Sequence, residues 1–239
     1  MDLVDASRLP HAARSRGAFA WAARLPTPAV LLALALCALS VRAWDPARLR
    51  FAAERHGPAA VIAAAALEET MRAVEDEGEP ERLGAVNDFF NARLAYREDI
   101  DNWGQVDYWA SPLESLGKGA GDCEDYAIAK YFTLVALGIP DARLRLVYVR
   151  ATLAGAPGGS IAHMVLAYYA SPEAEPLLLD NLDPAIRAAG ARTDLRPIFS
   201  FNSQGLWQGV GSIRAQGDPL ARLSRWREVL ERARKDGFE

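Results

Sequence analysis

The segment Gly121-Asp122-Cys123-Glu124-Asp125-Tyr126 opens a strongly apolar stretch, and it constrains the fold more than any other part of the chain. Asp122 is a good N-cap, and Tyr126, Ala127, Ile128, Tyr131, Phe132, Leu134 and Val135 then leave a helix apolar on most sides. Such a helix must be central. It is expected from Asp122 to Leu137, where Gly138 and Pro140 stop it. Cys123 then occupies the first helical position, where free backbone N–H groups and the positive dipole end favour a thiolate. A structural cysteine heading a core helix is the ordinary meaning of a lone thiol, so its surroundings decide between the two.

Whether the thiol is alone depends on the N-terminus. Arg8, Arg14, Arg16 and Arg24 precede the apolar run 29–39, and Val41 and Ala43 complete a small-x-small site. A basic region, a short apolar core and such a site describe a secretory signal peptide over residues 1–43. The run is too short to anchor the chain in a bilayer, for which about 20 residues are needed. Cys37 leaves with this segment, and Leu36 before it is wrong for a lipoprotein site. The mature domain, 44–239, therefore holds one cysteine and no internal disulfide. Losing a surplus of three positive charges takes the net charge from −4 to −7. An acidic body without a Lys/Arg tract excludes nucleic acid and anionic lipid as partners. The expected location is the periplasm.

The mature chain reads as one domain. Helices are expected over 58–74 and 80–95, followed by an ordered aromatic and acidic loop over 96–121 carrying Asp99, Asp101, Trp103, Asp107 and Trp109. Past the central helix, Arg143–Val149, His163–Tyr169 and Leu177–Asp180 read as strands, with a Gly/Pro loop at 154–160. A hairpin over 195–214 and an amphipathic helix from Pro219 to Lys235 complete the chain. Helices first and antiparallel strands after them make an α+β fold.

A thiolate needs an imidazole partner, and the mature chain offers His56 and His163. His56 lies in a polar Arg-His-Gly-Pro segment, expected at the surface. His163 opens a strand and Asp180 ends the next, so both fall at the same end of an antiparallel ladder, with the register open. A carboxylate there fixes the imidazole tautomer, which makes Cys123, His163 and Asp180 the candidate catalytic triad. Asp122, Glu124 and Asp125 are the odd feature beside it. At roughly 6 Å and an effective dielectric of about 20, each opposes the thiolate by about 3 kcal/mol. Either they only cap the helix, or a cation such as Ca²⁺ neutralises them together with nearby loop acids.

Val86-Asn-Asp-Phe-Phe-Asn91, Trp103-Gly-Gln-Val-Asp-Tyr-Trp109, Ser111-Pro-Leu-Glu114, Gly121 to Tyr131, Ala162 to Tyr169 and Leu179 to Asp183 together resemble the bacterial transglutaminase-like cysteine proteinases, the LapG-type periplasmic proteases. The likeness covers about residues 80–215. It implies a papain-like/transglutaminase-like fold, with the nucleophile at the start of a central helix on an antiparallel sheet. It also implies the triad Cys123, His163 and Asp180, and Ca²⁺ bound by Asp122, Glu124 and Asp125. The implied activity is cleavage of a large surface adhesin near its N-terminus, which disperses a biofilm. An inner-membrane cyclic di-GMP receptor that sequesters the protease is the implied regulator. The same triad serves acyl transfer to lysine in transglutaminases, and a non-catalytic calcium-dependent binding domain is the reading from a different class. Cys123 N–H is the first expected oxyanion donor, with Trp103 or Gln105 as the second.

Overall fold

The computed structural model describes residues 44–153, 155, 159–211 and 217–238. Residues 1–43, expected as a signal peptide and including Cys37, and much of the 154–160 loop lie outside them.

Among the described residues, a proline stands in the first turn of five of the eight helices and a side-chain cap precedes four. Helix α1 (Pro46–Glu54) was not expected, although its signal is plain: Asp45 accepts hydrogen bonds from Ala47 N and Arg48 N, and Pro46 fills the first turn. Helix α2 (Pro58–Val74) follows and buries Leu67 and Met71 together with Ala60, Ala63 and Ala64, whose small side chains let neighbouring helices approach closely. Helix α3 (Glu79–Arg93) buries Leu83, Val86 and Phe90 against the same core.

The stretch expected as loop is more regular than that. It folds as β1 (Ala95–Tyr96), α4 (Asp99–Trp103), α5 (Pro112–Lys118) and β2 (Ala120–Gly121). Ser111 and Glu114 form a reciprocal capping box at the head of α5, and Gly119 ends it at φ 63, a conformation that favours glycine. Strands β1 and β2 pair in parallel, with Tyr96 opposite Gly121. These elements are too short for hydrophobic periodicity to reveal them.

The central helix, α6 (Cys123–Ala136), packs on a six-stranded sheet. Its strands are β3 (Leu144–Thr152), β4 (Ser160–Tyr168), β5 (Leu177–Leu179), β6 (Arg187–Ala188), β7 (Leu195–Phe201) and β8 (Leu206–Gln208). The order is β6-β5-β4-β3-β7-β8, antiparallel throughout. Leu144, Leu146, Met164 and Leu166 face the helical core, while Val147, Val149, Val165 and Ala167 form a second buried layer with Tyr169 and Leu178. Both faces of β3 and β4 are therefore covered.

One C-terminal helix was expected, and two occur: α7 (Pro219–Arg222) and α8 (Ser224–Lys235), broken at the extended Leu223. Trp226 fixes α8. It is fully buried, stacked on Phe132 at 5.7 Å and edge-on to Phe201 at 5.4 Å. A tryptophan so placed contributes about 3–5 kcal/mol relative to alanine. No helix among the described residues is long and apolar enough to cross a membrane.

Candidate active site

Asp122 caps α6 as expected, accepting from Glu124 N at 3.2 Å and Asp125 N at 3.4 Å. Cys123 is consequently at the first helical position and is buried, 7% exposed. The backbone N–H of Met164, the residue after His163, acts on the sulfur in favour of the thiolate, so the nucleophile adjoins the start of β4. The thiol also donates to Glu124 Oε2 at 2.7 Å. Burial first, then the Glu124 and Asp122 charges, push its pKa well up. Gly121 is required by close approach: a Cβ there would lie 2.6 Å from that of Asp125.

The register of β4 and β5 ends at Leu166 opposite Leu179, which sets Asp180 diagonally across from His163. His163 Nε2 meets Asp180 Oδ1 at 2.7 Å, and both residues are 2% exposed. An ionised carboxylate holds the proton on Nε2 and leaves Nδ1 to serve as the base. Arg192, which no local sequence pattern marks, pairs with Asp180 Oδ2 at 2.8 Å and also with Asp194. Burial works against the Asp180 charge, but hydrogen bonds from His163 and Leu182 N–H and the Arg192 ion pair outweigh it and bring the pKa to about 2. Asp183, the other acid of this turn, instead pairs with Arg187 at 2.7 Å. His56, expected at the surface, is partly buried and bound to Asp236 at 2.9 Å.

The Asp180 backbone is held as firmly as its side chain. Lys130, seven residues after Cys123 and hence on the same side of α6, is fully buried and donates to Asp180 O at 3.1 Å and Asn87 Oδ1 at 2.9 Å. Asn91 also donates to Asp180 O at 2.8 Å, and Asn87 donates to Pro184 O at 2.8 Å. Burial lowers the Lys130 pKa to about 7, against the pull of Asp180 and Asp88. The unfolded chain therefore takes this proton more readily, and stability rises with pH between about 7 and 10.5 from this group. In Lys130→Met that contribution is absent. The melting temperature of the parent minus that of the variant should accordingly grow between pH 7 and 10. A difference independent of pH would show that the ammonium is not desolvated as the geometry requires.

The acids divide. Asp99, on α4, joins Asp122 and Asp125 in a buried cluster, with one oxygen from each lying within 4.8 Å of the others. Glu124 faces the thiol instead, yet it borders the cluster closely enough for its charge to act on all three members. Burial and then mutual repulsion raise Asp122 to about 10. Burial likewise raises Asp125, to about 8, and Asp99. Asp99 Oδ1 and Asp125 Oδ2 are buried without a hydrogen-bond donor. Two orphaned carboxylate oxygens facing a third acid suit a hard divalent cation. Asp99 was visible as one of several loop acids, but its partnership with α6 depends on the β1–β2 pairing that sequence did not reveal.

A family model described as bacterial transglutaminase-like cysteine proteinase matches residues 59–207. The chain belongs to this family. It is a cysteine protease with a protein substrate, and its α+β fold is the transglutaminase-like one. Among solved structures it resembles Legionella pneumophila LapG. The EGTA-treated form is 37% identical, covering 79% of this chain and 97% of that one at a TM-score of 0.68. The calcium-bound form is 36% identical, covering 79% and 98% at a TM-score of 0.66. No curated protein matches the chain.

Proposed function

We propose that this proteinase is a calcium-dependent periplasmic endopeptidase with the triad Cys123, His163 and Asp180. In this reading it cleaves the N-terminal region of a large surface adhesin, so that the adhesin is released and a biofilm disperses. An inner-membrane cyclic di-GMP receptor sequesters it. The observation that carries the catalytic part is the buried His163–Asp180 pair at 2.7 Å, with the backbone of the residue after His163 adjoining the Cys123 thiol. The likeness to LapG supports the rest. Residues 1–43 act as the export signal, and N-terminal sequencing of the exported protein should begin near Trp44.

His163 Nδ1 takes the thiol proton as sulfur attacks the scissile carbonyl, and returns it to the departing amine. Cys123 N–H, free at the helix start, faces the developing oxyanion. Water then hydrolyses the thioester with His163 as base. Asp180 stays ionised throughout, held by Arg192 and Leu182 N–H.

Asp99, Asp122 and Asp125 would hold the cation, with Glu124 as the fourth candidate. When bound, the cation neutralises carboxylates that otherwise oppose the thiolate. EGTA should remove cleavage, and Ca²⁺ should restore it better than Mg²⁺, whose tight octahedron suits a helix start and a loop poorly. Calcium at about 100 times its Kd should also stabilise the fold by ~2.7 kcal/mol, or roughly 5–10 °C in Tm for a domain of this size. Unchanged cleavage and Tm would reduce these acids to helix caps. The substrate is tested by incubation with N-terminal fragments of candidate surface adhesins, with and without Ca²⁺, followed by fragment mapping; fragments left intact would remove the adhesin from the reading.

A further inference from the structure

The loop between α4 and α5 stands between the acidic cluster and the C-terminal helix, and its peptide units are gripped from both sides. Arg225 Nε of α8 donates to Asp107 O at 2.8 Å, and the N–H of that same peptide unit, on Tyr108, donates to Asp99 Oδ2 at 2.5 Å. One residue pair further on, Arg232 donates to Trp109 O. The N–H of that unit, on Ala110, donates to Asp125 Oδ1 at 2.8 Å. In a trans peptide C=O and N–H point in opposite directions, so each unit is a rigid strut with a guanidinium at one end and a cluster carboxylate at the other.

We propose that Arg225 and Arg232 set the cation affinity of the Asp99–Asp122–Asp125 cluster through these two peptide struts. The inference rests on the reading of the cluster as a cation site. Its strongest support is which oxygens remain free. The struts occupy Asp99 Oδ2 and Asp125 Oδ1, and the oxygens left without a donor are Asp99 Oδ1 and Asp125 Oδ2. Both carboxylates are thus turned so that one oxygen is spent on the strut and the other is kept for a ligand. A carboxylate free to rotate would have to be ordered by the ion itself.

The arginines are themselves fixed. Arg232 Nε binds Glu114 Oε2 at 3.0 Å and its guanidinium lies 4.8 Å over the Tyr108 ring, while Tyr108 Oη donates to Glu114 Oε1 at 2.8 Å. Arg225 also pairs with Asp107 Oδ2 at 3.2 Å. The buried Trp226 prevents α8 from sliding along the loop. A guanidinium on the carbonyl further polarises each peptide and strengthens its N–H bond to the carboxylate. Helix α8 lies beyond the residues the family model matches, so this is a role for a part of the chain to which nothing functional was assigned.

Calcium titration calorimetry on the full mature chain tests the proposal, because the simplest alternative has the opposite sign. Removing a positive charge near a cation site tightens binding by electrostatics alone. The strut role requires Arg232→Gln to weaken it, by about 10-fold, the lower end of what outer-shell partners of a metal contribute. Arg232→Lys, which keeps a donor for the Trp109 carbonyl, should recover part of the loss. Arg227→Gln, on the exposed side of the same helix, should leave the Kd unchanged. If Arg232→Gln does not fold, the half-exposed Arg225→Gln carries the same test with a loss of several-fold. An unchanged or tighter Kd in these variants, with the parent binding calcium, overturns the struts alone. A parent that takes up no calcium overturns the cation reading and the struts together.

Discussion

Cys123→Ala should drive cleavage to the assay floor, a fall of about 10⁶-fold, while Tm stays within a few degrees of the parent. The chemical part of that expectation rests on position. No other thiol is found among the described residues, and none of the neighbouring side chains can form the thioester. The structural part rests on what the sulfur touches. It is hydrogen-bonded to Glu124 and lies at a helix start, a small member of the helical core. Alanine keeps the helix and leaves a small gap, and it also relieves Glu124 of a short contact in the ion-free protein. The variant should still bind calcium and substrate, so a catalytically dead but folded protein is the expected readout. Retained cleavage would remove Cys123 from the mechanism. Loss of cleavage together with loss of the folding transition would leave the residue structural.

The central helix, the succession of antiparallel strands β3 to β5 and the His163–Asp180 pairing were legible because each depends on short-range signals. Asp122 caps, Gly138 and Pro140 stop, and His163 and Asp180 sit at matching ends of consecutive strands. What escaped was long-range. Nothing in the sequence near Arg192 indicates that it reaches Asp180, 12 positions earlier, because β6 and a turn lie between them. Lys130 gave a faint signal, a lone cation within an apolar helix seven residues from the nucleophile, but its meaning depends on Asn87 and Asn91 of another helix. Asp99 joins its partners only because β1 pairs with β2, and two-residue strands carry no periodicity. Glu124 was expected beside Asp122 and Asp125 in one ligand set. On a helix, successive residues point about 100° apart, so three neighbours at the first turn do not share one face. The structure accordingly gives Asp122 and Asp125 to the cluster and turns Glu124 to the thiol.

Asp180→Asn should lower kcat by about 10³–10⁴-fold with little change in KM, and the reason lies in Arg192. Asparagine keeps the shape of the carboxylate but has one acceptor oxygen and one donor NH₂. In the parent, Oδ1 accepts from His163 and Leu182 N–H, and Oδ2 faces the Arg192 guanidinium. The amide can satisfy only one of these two sides. Arg192 is a permanent cation, 5% exposed, with no acceptor of its own, so it claims the oxygen. The NH₂ then faces His163 Nε2, which must give up its proton to accept that bond. The imidazole is left with its proton on Nδ1, the wrong nitrogen for a base. Removing the cation should release the amide: the double variant Asp180→Asn with Arg192→Leu is expected to cleave about 10-fold or more faster than Asp180→Asn alone, although Arg192→Leu by itself slows the enzyme. Equal rates for the single and double Asn variants would mean that Arg192 does not choose the flip. Near-normal turnover in Asp180→Asn would mean that His163 is oriented by some other group.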